Sequence, residues 1–404
     1  MSWQRVELAN VATVFNGKTP AKAEQRDNGH PVLKIKDVDV NGAFKGDFGS
    51  FVDSEFAEKF SSKKISVDDT LVLNAAHNSD YVGSKQYRAE ASVVDSLPTG
   101  EWLVARADEE QLHPRFLNYW LSSPQARFQI KNLVKGIHLY PKDVARLEIP
   151  LPALAEQKRI ATILDKADAI RRKRQQAIQL ADEFLRAVFL DMFGDPATNP
   201  KGWEVKTVSD CLAQEIIQHV QDGNHGNDHP KVSEFIKEGI PFLTANVIRR
   251  GKILFDRCYY LGDEWLDKLR IGFAKPRDVL ISHKGSLGFT AVLDTEFENY
   301  ILSPQTTYYR VDENRLIPEY LKAYFDSNYF QRLFEKEGVQ STRAYLGITR
   351  QKNLPIMLPG IQKQHEYVAI ANQFKGMMEK VISSSAELPT CFDSLSQKAF
   401  TGKL

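Results

Sequence analysis

The fold of this chain is decided by the stretch Leu147–Ala161, which reads LEIPLPALAEQKRIA. A short apolar segment with two prolines runs directly into a charged segment that has the apolar spacing of a helix. Proline fits poorly inside either a strand ladder or a helix, so the pair marks a joint between two elements. A related stretch, LPIMLPGIQKQHEYVA, occupies Leu354–Ala369. This recurrence predicts a chain that is built twice on one plan.

The two copies can be matched along most of their length. At the offset set by the two joints, Gln157 matches Gln364 and Ile163 matches Ile370. Near the starts of the copies, SWQRVELANVA matches GWEVKTVSDCL, and HPVLKIKDVDVNGAF matches IPFLTANVIRRGKIL. Further along, VDDTLVL matches KPRDVLI and HPRFLNYWLSS matches IPEYLKAYFDS. Because these matches occur in the same order, they indicate an internal duplication.

Each copy is predicted to be an α+β module followed by a helical segment. Short apolar runs separated by polar, Gly-containing loops predict strands, with a few helices between them. We expect the first module at residues 1–152, a central helical segment at 153–195, the second module at 196–359 and a C-terminal helical segment at 360–404. The expected architecture is two duplicated α/β domains joined by a pair of long antiparallel, coiled-coil-like helices with approximate twofold symmetry.

The first helical segment is predicted as one helix from about Glu156 to Phe193, because its apolar residues recur every three or four positions. Gly376 and Pro389 weaken the second segment, which we expect in two pieces that end in a short helix, TCFDSLSQKAF. A long apolar stripe needs a partner helix. The Arg171–Arg174 run is either a solvated face or a contact for a partner or for DNA. The candidates for helix pairing or partner docking are Ile160, Ile163, Ile170, Arg174, Phe184, Phe374, Met377 and Val381.

The bulk composition excludes several classes of protein. The 404 residues carry a formal net charge of +1, so a role in DNA binding would have to come from local basic patches. No apolar run is long enough for a bilayer, and the N-terminus lacks the apolar core of a secretion signal. The three cysteines form no CxxC pair, which favours a reducing cytoplasm.

The sequence contains no recognisable catalytic, cofactor or metal motif. NGKTP, at Asn16–Pro20, lacks the first glycine of a phosphate-binding loop, and neither a GxGxxG nor an NPPY motif is present. His219, His225 and His229 could suggest a metal, but their spacing fits no common zinc pattern. A polar recognition loop or a plain surface loop is the preferred interpretation. We therefore predict no catalytic residue, cofactor or metal in this chain.

Polar, basic segments recur at matched positions in the two copies. KNLVKGIHLYPK matches QSTRAYLGITRQK, KIKDVDVNG matches TANVIRRGK, and NAAHNSDYVGSKQYR matches SHKGSLG. Cations can neutralise phosphates, and Asn or Arg can read base edges. Solvated loops are the alternative, which the recurrence disfavours. The candidate DNA-binding residues are Lys34, Lys36, Asn74, His77, Asn78, Lys85, Lys135, His138, Lys142, His225, Asn246, Arg249, Arg250, His283, Lys284, Ser286, Arg343, Tyr345, Arg350 and Lys352.

With these motifs in this order, the chain resembles the specificity subunit of type I restriction–modification systems. DGNHGNDHP and GIPFLTANVI resemble the opening of its target recognition domains, and RAYLGITRQKNLPIMLP resembles their closing segment. LSQKAFTGKL resembles the usual C-terminus of the family. The resemblance covers the whole chain, and the duplication makes it specific.

The resemblance implies a non-catalytic subunit that reads a bipartite, asymmetric target in double-stranded DNA, with helices that fix the unspecified spacer. It also implies two DNA-methyltransferase subunits, which supply S-adenosylmethionine chemistry, and restriction (motor–nuclease) subunits. Recognition domains vary within the family, so base-contacting residues do not carry over individually. A standalone enzyme acting on DNA and a duplicated protein–protein adaptor are the alternative functions.

Overall fold

The computed structural model describes residues 3–39, 42–224, 229–249, 251–293, 296–338, 345–383 and 388–404. The chain forms two compact units. Unit 1 comprises Met1–Gln175 and Ser384–Leu404, and unit 2 comprises Gln176–Ser383. Three candidate DNA-binding residues, His225, Arg250 and Arg343, lie outside the described residues.

Unit 1 contains a central antiparallel sheet, a second sheet and a closing strand pair. Its strands are β1 (Arg5–Glu7), β2 (Ala12–Asn16), β3 (Gln25–Arg26), β4 (His30–Leu33), β5 (Phe51–Val52), β6 (Thr70–Leu73), β7 (Gln86–Arg88), β8 (Leu97–Pro98), β9 (Trp102–Ala107) and β10 (Glu148–Pro150). Its helices begin with α1 (Ser54–Lys59), α2 (Pro114–Ser122), α3 (Pro124–Leu133), α4 (Pro141–Val144) and α5 (Leu154–Phe193), the last of which continues into unit 2. The central sheet has the order β2-β9-β6-β7, the second sheet β3-β5-β4-β8, and β1 pairs with β10.

Unit 2 repeats this plan. Its strands are β11 (Glu204–Thr207), β12 (Ile217–Asp222), β13 (Ile240–Leu243), β14 (Ile248–Arg249), β15 (Lys252–Ile253), β16 (Tyr259–Leu261), β17 (Phe273–Ala274), β18 (Val279–Ser282), β19 (Thr290–Val292), β20 (Tyr300–Leu302), β21 (Thr306–Val311) and β22 (Pro355–Leu358). The helices that follow are α6 (Val208–Ala213), α7 (Glu264–Lys268), α8 (Pro318–Phe325), α9 (Asn328–Gly338), α10 (Ile348–Gln351) and α11 (Ile361–Ser383), and α12 (Leu388–Phe400) completes unit 1.

The sheet topology confirms the duplication. The central sheet of unit 2 has the order β12-β21-β18-β19, and β11 pairs with β22. In the second sheets, the parallel pair β4–β8 of unit 1 corresponds to the parallel pair β13–β20 of unit 2. The two units therefore share the strand order of the central sheet and the closing pair. Their second sheets, β3-β5-β4-β8 and β16-β13-β20-β17, share three strands and differ in the edge to which the fourth strand is added.

The central strands are apolar on both faces because each central sheet separates two hydrophobic clusters. Successive side chains of a strand point to opposite faces. Leu71 of β6 packs in one cluster with Trp102, whereas Val72 packs in the other with α2 and α5. In unit 2, Leu280 and Ile281 of β18 divide in the same way. This arrangement accounts for the uninterrupted apolar runs in the sequence.

The proline joint is fixed by a buried glutamine. Gln157 is fully buried in the first turns of α5, where its side-chain oxygen accepts a hydrogen bond from the backbone N–H of His113 at 2.8 Å. Its amide nitrogen donates to the carbonyl oxygens of Gln111 at 3.0 Å and Pro152 at 2.9 Å. This side chain ties the start of α5 to the segment that leads into α2.

The matched joint in unit 2 has the same geometry. Gln364 is fully buried and accepts from the backbone N–H of Ile317 at 2.8 Å. Its amide donates to the carbonyl oxygens of Arg315 at 3.2 Å and Pro359 at 2.8 Å. The repeated Pro-to-Gln spacing of the sequence is therefore a repeated set of hydrogen bonds.

The first helical segment is the single long helix that the sequence predicts. In unit 1, the guanidinium of Arg171 on α5 lies 5.5 Å from the ring centroid of Phe392 on α12, and Arg159 donates to the carbonyl oxygen of Leu404 at 3.3 Å. The residue numbers run in opposite directions, so α12 is antiparallel to this part of α5.

Unit 2 contains the other part of α5 and its own antiparallel helix contact. The ring centroids of Phe184 and Phe374 lie 4.5 Å apart, and those of Phe189 and Tyr367 lie 5.8 Å apart. Antiparallel pairing with α5 is therefore present inside each unit, with α11 in one unit and α12 in the other.

The C-terminal helical segment consists of two helices, as expected, but Pro389 takes a different position from the one predicted. Pro389 is the second residue of α12, a position in the first helical turn at which proline is tolerated because no backbone donor is lost from the helix. The helix therefore starts before this proline instead of after it. Gly376 does not interrupt α11, which is continuous from Ile361 to Ser383.

Candidate nucleic-acid interface

In unit 1, two basic loops that are distant in sequence lie side by side. The segment 74–78 follows β6, and the segment 135–142 precedes and includes most of α4. Ala75 forms an isolated antiparallel bridge with His138, and the backbone N–H of Leu139 donates to the carbonyl oxygen of Asn74 at 2.7 Å. We call 74–78 and 135–142 the bridged loops of unit 1.

Unit 2 brings the matched segments together by the same contacts. Lys284 forms an antiparallel bridge with Tyr345, and the backbone N–H of Leu346 donates to the carbonyl oxygen of His283 at 3.0 Å. The ammonium of Lys284 lies 5.9 Å from the ring centroid of Tyr345. The segments 283–286 and 345–352 are the bridged loops of unit 2.

A third loop follows the first strand of each second sheet. In unit 1, residues 34–39 follow β4, and the backbone N–H of Asp37 donates to the carbonyl oxygen of Lys34 at 3.1 Å. In unit 2, residues 244–249 follow β13, with the equivalent bond from Val247 to Thr244 at 3.2 Å. We call these segments the clamped loops, since in each of them a cation binds two backbone carbonyls, as described below.

The clamped loop contacts the strand end from which the bridged loops start. In unit 1, Leu73 at the end of β6 donates through its N–H to the carbonyl oxygen of Lys85 at 2.9 Å, and the ammonium of Lys85 reaches the clamped loop. In unit 2, Ser282 at the end of β18 donates to Phe289 at 2.8 Å, and Arg249 of the clamped loop stacks on the Phe289 ring. Three polar loops therefore meet at the same end of the central sheet in each unit.

The loop from Leu73 to Lys85 needs a glycine where it turns back. Gly83 has φ +77°, and its N–H donates to the carbonyl oxygen of Leu73 at 2.8 Å. In unit 2 the equivalent bond is made by Gly288, which has φ +82° and donates to Ser282 at 2.8 Å. Side-chain-bearing residues rarely adopt this conformation, so the same turn is available in both units despite different loop lengths.

Most of the described candidate residues are exposed on these loops. Lys34 and Ser286 are half-buried. The exposed candidates are Lys36, His77, Asn78, Lys135, His138 and Lys142 in unit 1, and Asn246, Lys284, Tyr345, Arg350 and Lys352 in unit 2. Lys36 and Asn246 occupy the same position of their clamped loops.

Two candidates lie inside their units. Asn74 is only 3% exposed, and its amide donates to the side-chain oxygen of Asn16 at 2.9 Å and to the carbonyl oxygen of Gly100 at 3.0 Å. His283 is fully buried, with its Nδ1 2.7 Å from the hydroxyl oxygen of Thr307. Both side chains are buried, where they support the bridged loops, so neither is part of the exposed surface of those loops.

Some exposed cations already have partners in the protein. The ammonium of Lys135 lies 2.7 Å from a carboxylate oxygen of Asp143, and this hydrogen bond lowers the pKa of the Asp143 carboxyl. Arg350 donates to the carbonyl oxygen of Glu337 at 3.1 Å. The Arg350 contact is solvent-exposed, so it can be exchanged for a phosphate contact at little cost. The Asp143 carboxylate, in contrast, is only 9% exposed, which ties Lys135 more firmly to the protein.

Two exposed aromatic side chains on the same surfaces were not predicted from the sequence. Tyr140 is 42% exposed in the bridged loops of unit 1, and its ring centroid lies 6.2 Å from that of His138. Phe289 is 37% exposed under the guanidinium of Arg249. The alternation of cations and aromatics in KGIHLYPK was the available signal for the first; the second had none, because Arg249 and Phe289 are distant in sequence.

Two of the three histidines that suggested a metal, His219 and His229, have other contacts, and His225 lies outside the described residues. Nδ1 of His219 lies 2.7 Å from the Tyr308 hydroxyl, and the His229 ring packs against Phe242 with centroids 5.8 Å apart. Across the ranges that the structure describes, no group of three or more His, Cys, Asp or Glu side chains is arranged to hold a metal ion. In those same ranges no helix combines the length and apolarity needed to span a bilayer.

The candidate helix residues fall into two groups. Ile160 is fully buried in the core of unit 1, and Ile163, Arg174 and Phe374 are half-buried. Ile170, Phe184 and Met377 are 52%, 44% and 60% exposed. Val381 belongs to α11, and its side chain lies outside the described part of the structure. The guanidinium groups of Arg171 and Arg172 each lie 2.7 Å from a carboxylate oxygen of Asp168. These two cations of the basic run therefore already have an ion-pair partner.

Comparison with known proteins points in one direction. The family model described as the type I restriction modification DNA specificity domain matches residues 1–180. The type I restriction enzyme EcoBI specificity subunit of Escherichia coli is 22% identical over 100% of this chain and 86% of its own length. The EcoKI specificity subunit of Escherichia coli strain K12 is 22% identical over 100% of this chain and 89% of its own length.

A solved structure shares the fold. The crystal structure of the S subunit of a type I restriction–modification system from M. genitalium superimposes with a TM-score of 0.58 at 14% identity, and covers 99% of this chain and 96% of that chain. The duplicated units and the long helix α5 are consistent with the similarity to specificity subunits over the full length of the chain. Residues 1–180 of the chain thus match the type I restriction modification DNA specificity domain, and the whole chain is similar to type I restriction enzyme specificity subunits.

Proposed function

We propose that each unit reads one half of a bipartite, asymmetric target in double-stranded DNA. The observation that carries this proposal is the meeting of three polar loops at the same end of the central sheet in both units, through matched backbone contacts. A duplicated scaffold with different side chains on matched loops suits two half-sites of different sequence. The chain itself performs no catalysis in this proposal, because its contribution is DNA specificity.

The side chains on these loops suit DNA contact in two ways. The exposed cations Lys36, Lys142, Lys284 and Lys352 can neutralise phosphates, a contact that positions the protein without reading sequence. Asn78 and Asn246 present exposed amides, which can pair with an adenine edge in the major groove. The overall charge of +1 makes a general attraction to DNA weak, so binding depends on these local surfaces.

We further propose that the helices carry two more functions. The exposed apolar residues Ile170, Phe184 and Met377 would dock two DNA-methyltransferase subunits, with restriction subunits completing the complex in the cytoplasm. At 1.5 Å per residue, the 40 residues of α5 give a length of roughly 60 Å, and this length would set the unspecified spacer of the target. S-adenosylmethionine chemistry would then belong to the methyltransferase partners.

The test is to map methylated adenines across a genome. The chain is co-expressed with its methyltransferase in cells without other adenine methylation, and methylated positions are identified by sequencing. We expect one motif with two specified parts and a constant spacer. A cell that expresses the methyltransferase alone is the control, and it should show no such motif. A single uninterrupted motif, or methylation that does not require this chain, would contradict the proposal.

A further inference from the structure

The same two carbonyl groups are held by a cation in each unit, but the cation comes from a different place in the chain. In unit 1, the ammonium of Lys85, which precedes β7, donates to the carbonyl oxygen of Ile35 at 2.8 Å and to that of Val38. Both carbonyls belong to the clamped loop 34–39.

In unit 2, a residue of the clamped loop itself performs this task. The Nη1 of Arg249 donates to the carbonyl oxygens of Ala245 and Ile248, each at 2.7 Å. Ala245 and Ile248 are the residues that match Ile35 and Val38 in the aligned copies. The position that matches Lys85 is Phe289, and its ring lies 4.4 Å from the Arg249 guanidinium.

The equivalence of the two sites rests on backbone contacts as well as on sequence. Lys85 and Phe289 both accept a hydrogen bond from the last residue of a central strand, Leu73 and Ser282 respectively. The clamped loops continue in the same way, since Lys45 donates to the carbonyl oxygen of Asp37 and Leu254 donates to that of Val247, each at 2.9 Å. The backbone around the two pairs of carbonyls is therefore similar, and the source of the cation differs. The turn that follows is one residue longer in unit 1, where Val38 pairs with Phe44, than in unit 2, where Ile248 pairs with Ile253.

We propose that Lys85 and Arg249 are positioning residues that hold the clamped loops for DNA reading and do not themselves contact DNA. Each cation directs its charge at backbone carbonyls, and each is half-buried. The residue that the loop exposes is Lys36 in unit 1 and Asn246 in unit 2, at the matched position. A charged hydrogen bond to a carbonyl contributes more than a neutral one, so the loop loses its fixed conformation without the clamp.

The Lys85 ammonium lies in a partly desolvated site near Lys45 and the carboxylates of Asp37 and Asp39. Burial lowers the pKa of Lys85, the nearby Lys45 lowers it further, and the two carboxylates raise it. Lys45 itself donates to the carbonyl oxygen of Lys36 at 2.6 Å, so a second cation reinforces the same loop. This inference rests on the proposed function, because it assigns these residues a role in reading a half-site.

The experiment uses the full chain with its methyltransferase and compares Lys85→Leu, Arg249→Leu and Lys36→Ala with the wild type. For Lys85→Leu we expect discrimination to fall by about tenfold or more at one or more positions of one half-site, with the other half-site unchanged. Arg249→Leu should relax the opposite half-site. Melting temperatures of the variants are measured alongside the methylated motifs.

The salt dependence of DNA binding separates a clamp from a phosphate contact. Removing one phosphate contact lowers the slope of log affinity against log salt concentration by about 0.9. We expect Lys36→Ala to lower the slope by this amount and Arg249→Leu, whose clamped loop exposes the uncharged Asn246, to leave it unchanged. A reduced slope for Arg249→Leu would overturn the proposal, as would an unchanged motif or an equal loss in both half-sites that follows a lower melting temperature.

Exchanging the clamp provides a rescue that a merely structural role would not explain. The double variant Lys85→Phe with Asp39→Arg gives unit 1 the arrangement found in unit 2, because Asp39 matches Arg249 in the aligned copies. We expect it to recover the wild-type motif, and Lys85→Arg to retain it. Failure of both variants to do so would overturn the inference. A bipartite motif from the wild type upholds the proposed function whatever the clamp variants do.

Discussion

Single polar residues decide how each unit is assembled and which side chains reach its surface. Gln157 and Gln364 each satisfy three backbone groups at the joint between a module and its helix. Lys85 and Arg249 satisfy two carbonyls in each clamped loop. These four residues are polar, yet their main contacts are internal. The exposed candidates Lys36 and Asn246 lie on the clamped loops, so their defined position depends on Lys85 and Arg249.

Replacing the buried glutamine should destabilise unit 1. Gln157→Ala removes three hydrogen bonds and leaves buried backbone groups without partners, so we expect a loss of about 2–4 kcal/mol in the free energy of unfolding. Denaturant unfolding of the full chain measures this loss. Gln125→Ala, on the exposed face of α3, is the matched control and should change stability by less than about 0.5 kcal/mol. Equal effects of the two substitutions would show that Gln157 is not an anchor.

At the scale of elements, the long helix α5 is the segment whose length would set the spacer between the two half-sites. α5 is continuous over 40 residues, and it packs antiparallel to α12 within unit 1 and to α11 within unit 2. A helix without Pro or Gly in its interior resists bending. The sequence of α5 contains neither residue, so its length is set by its residue count.

An insertion in α5 tests whether helix length sets the spacer. One extra helical turn after Ala177 adds about 5.4 Å to the helix. We expect the methylated motif to keep both specified halves and to gain a longer spacer, or the complex to fail to assemble. Genome-wide mapping of methylated adenines distinguishes these results. An active complex with an unchanged spacer would rule out the ruler role of α5.

At the scale of the whole molecule, duplication allows the two halves to be exchanged independently. Each unit has its own central sheet, second sheet and closing strand pair, and each closes through β1–β10 or β11–β22. The side chains on matched loops differ between the units, so two different half-sites can be read by one scaffold. In the proposed function, fold and specificity are separated, because buried contacts hold the scaffold and the exposed loops would carry the specificity.

Exchange of the first module should change half of the target. Replacing residues 1–150 with the corresponding segment of another family member should alter one specified half of the methylated motif and leave the other half intact. The exchange ends before α5, and Gln157 bonds to backbone groups of residues 111 and 113, which a module with the same backbone path supplies whatever its side chains are. Mapping of methylated adenines checks the result. Changes in both halves, or in neither, would refute independent reading.

The sequence by itself determined the duplication, the proline joints and the long helix. These features depend on local rules, since apolar periodicity specifies a helix and paired prolines end a strand. The split of the second helical segment was also predictable, although Pro389 entered α12 at its start instead of preceding it. Such features need no knowledge of distant contacts.

Only the tertiary structure decided which polar side chains are exposed on the loops and which are turned inward to hold the loops in place. Asn74 and His283 resemble recognition residues in sequence, but packing buries them beneath the bridged loops. Lys85 and Arg249 hold equivalent carbonyls from unrelated sequence positions. The physical reason is that burial and hydrogen-bond partners are set by segments far apart in the chain. A cation has the same sequence signature whether it faces a phosphate or a carbonyl, and only the folded chain distinguishes the two.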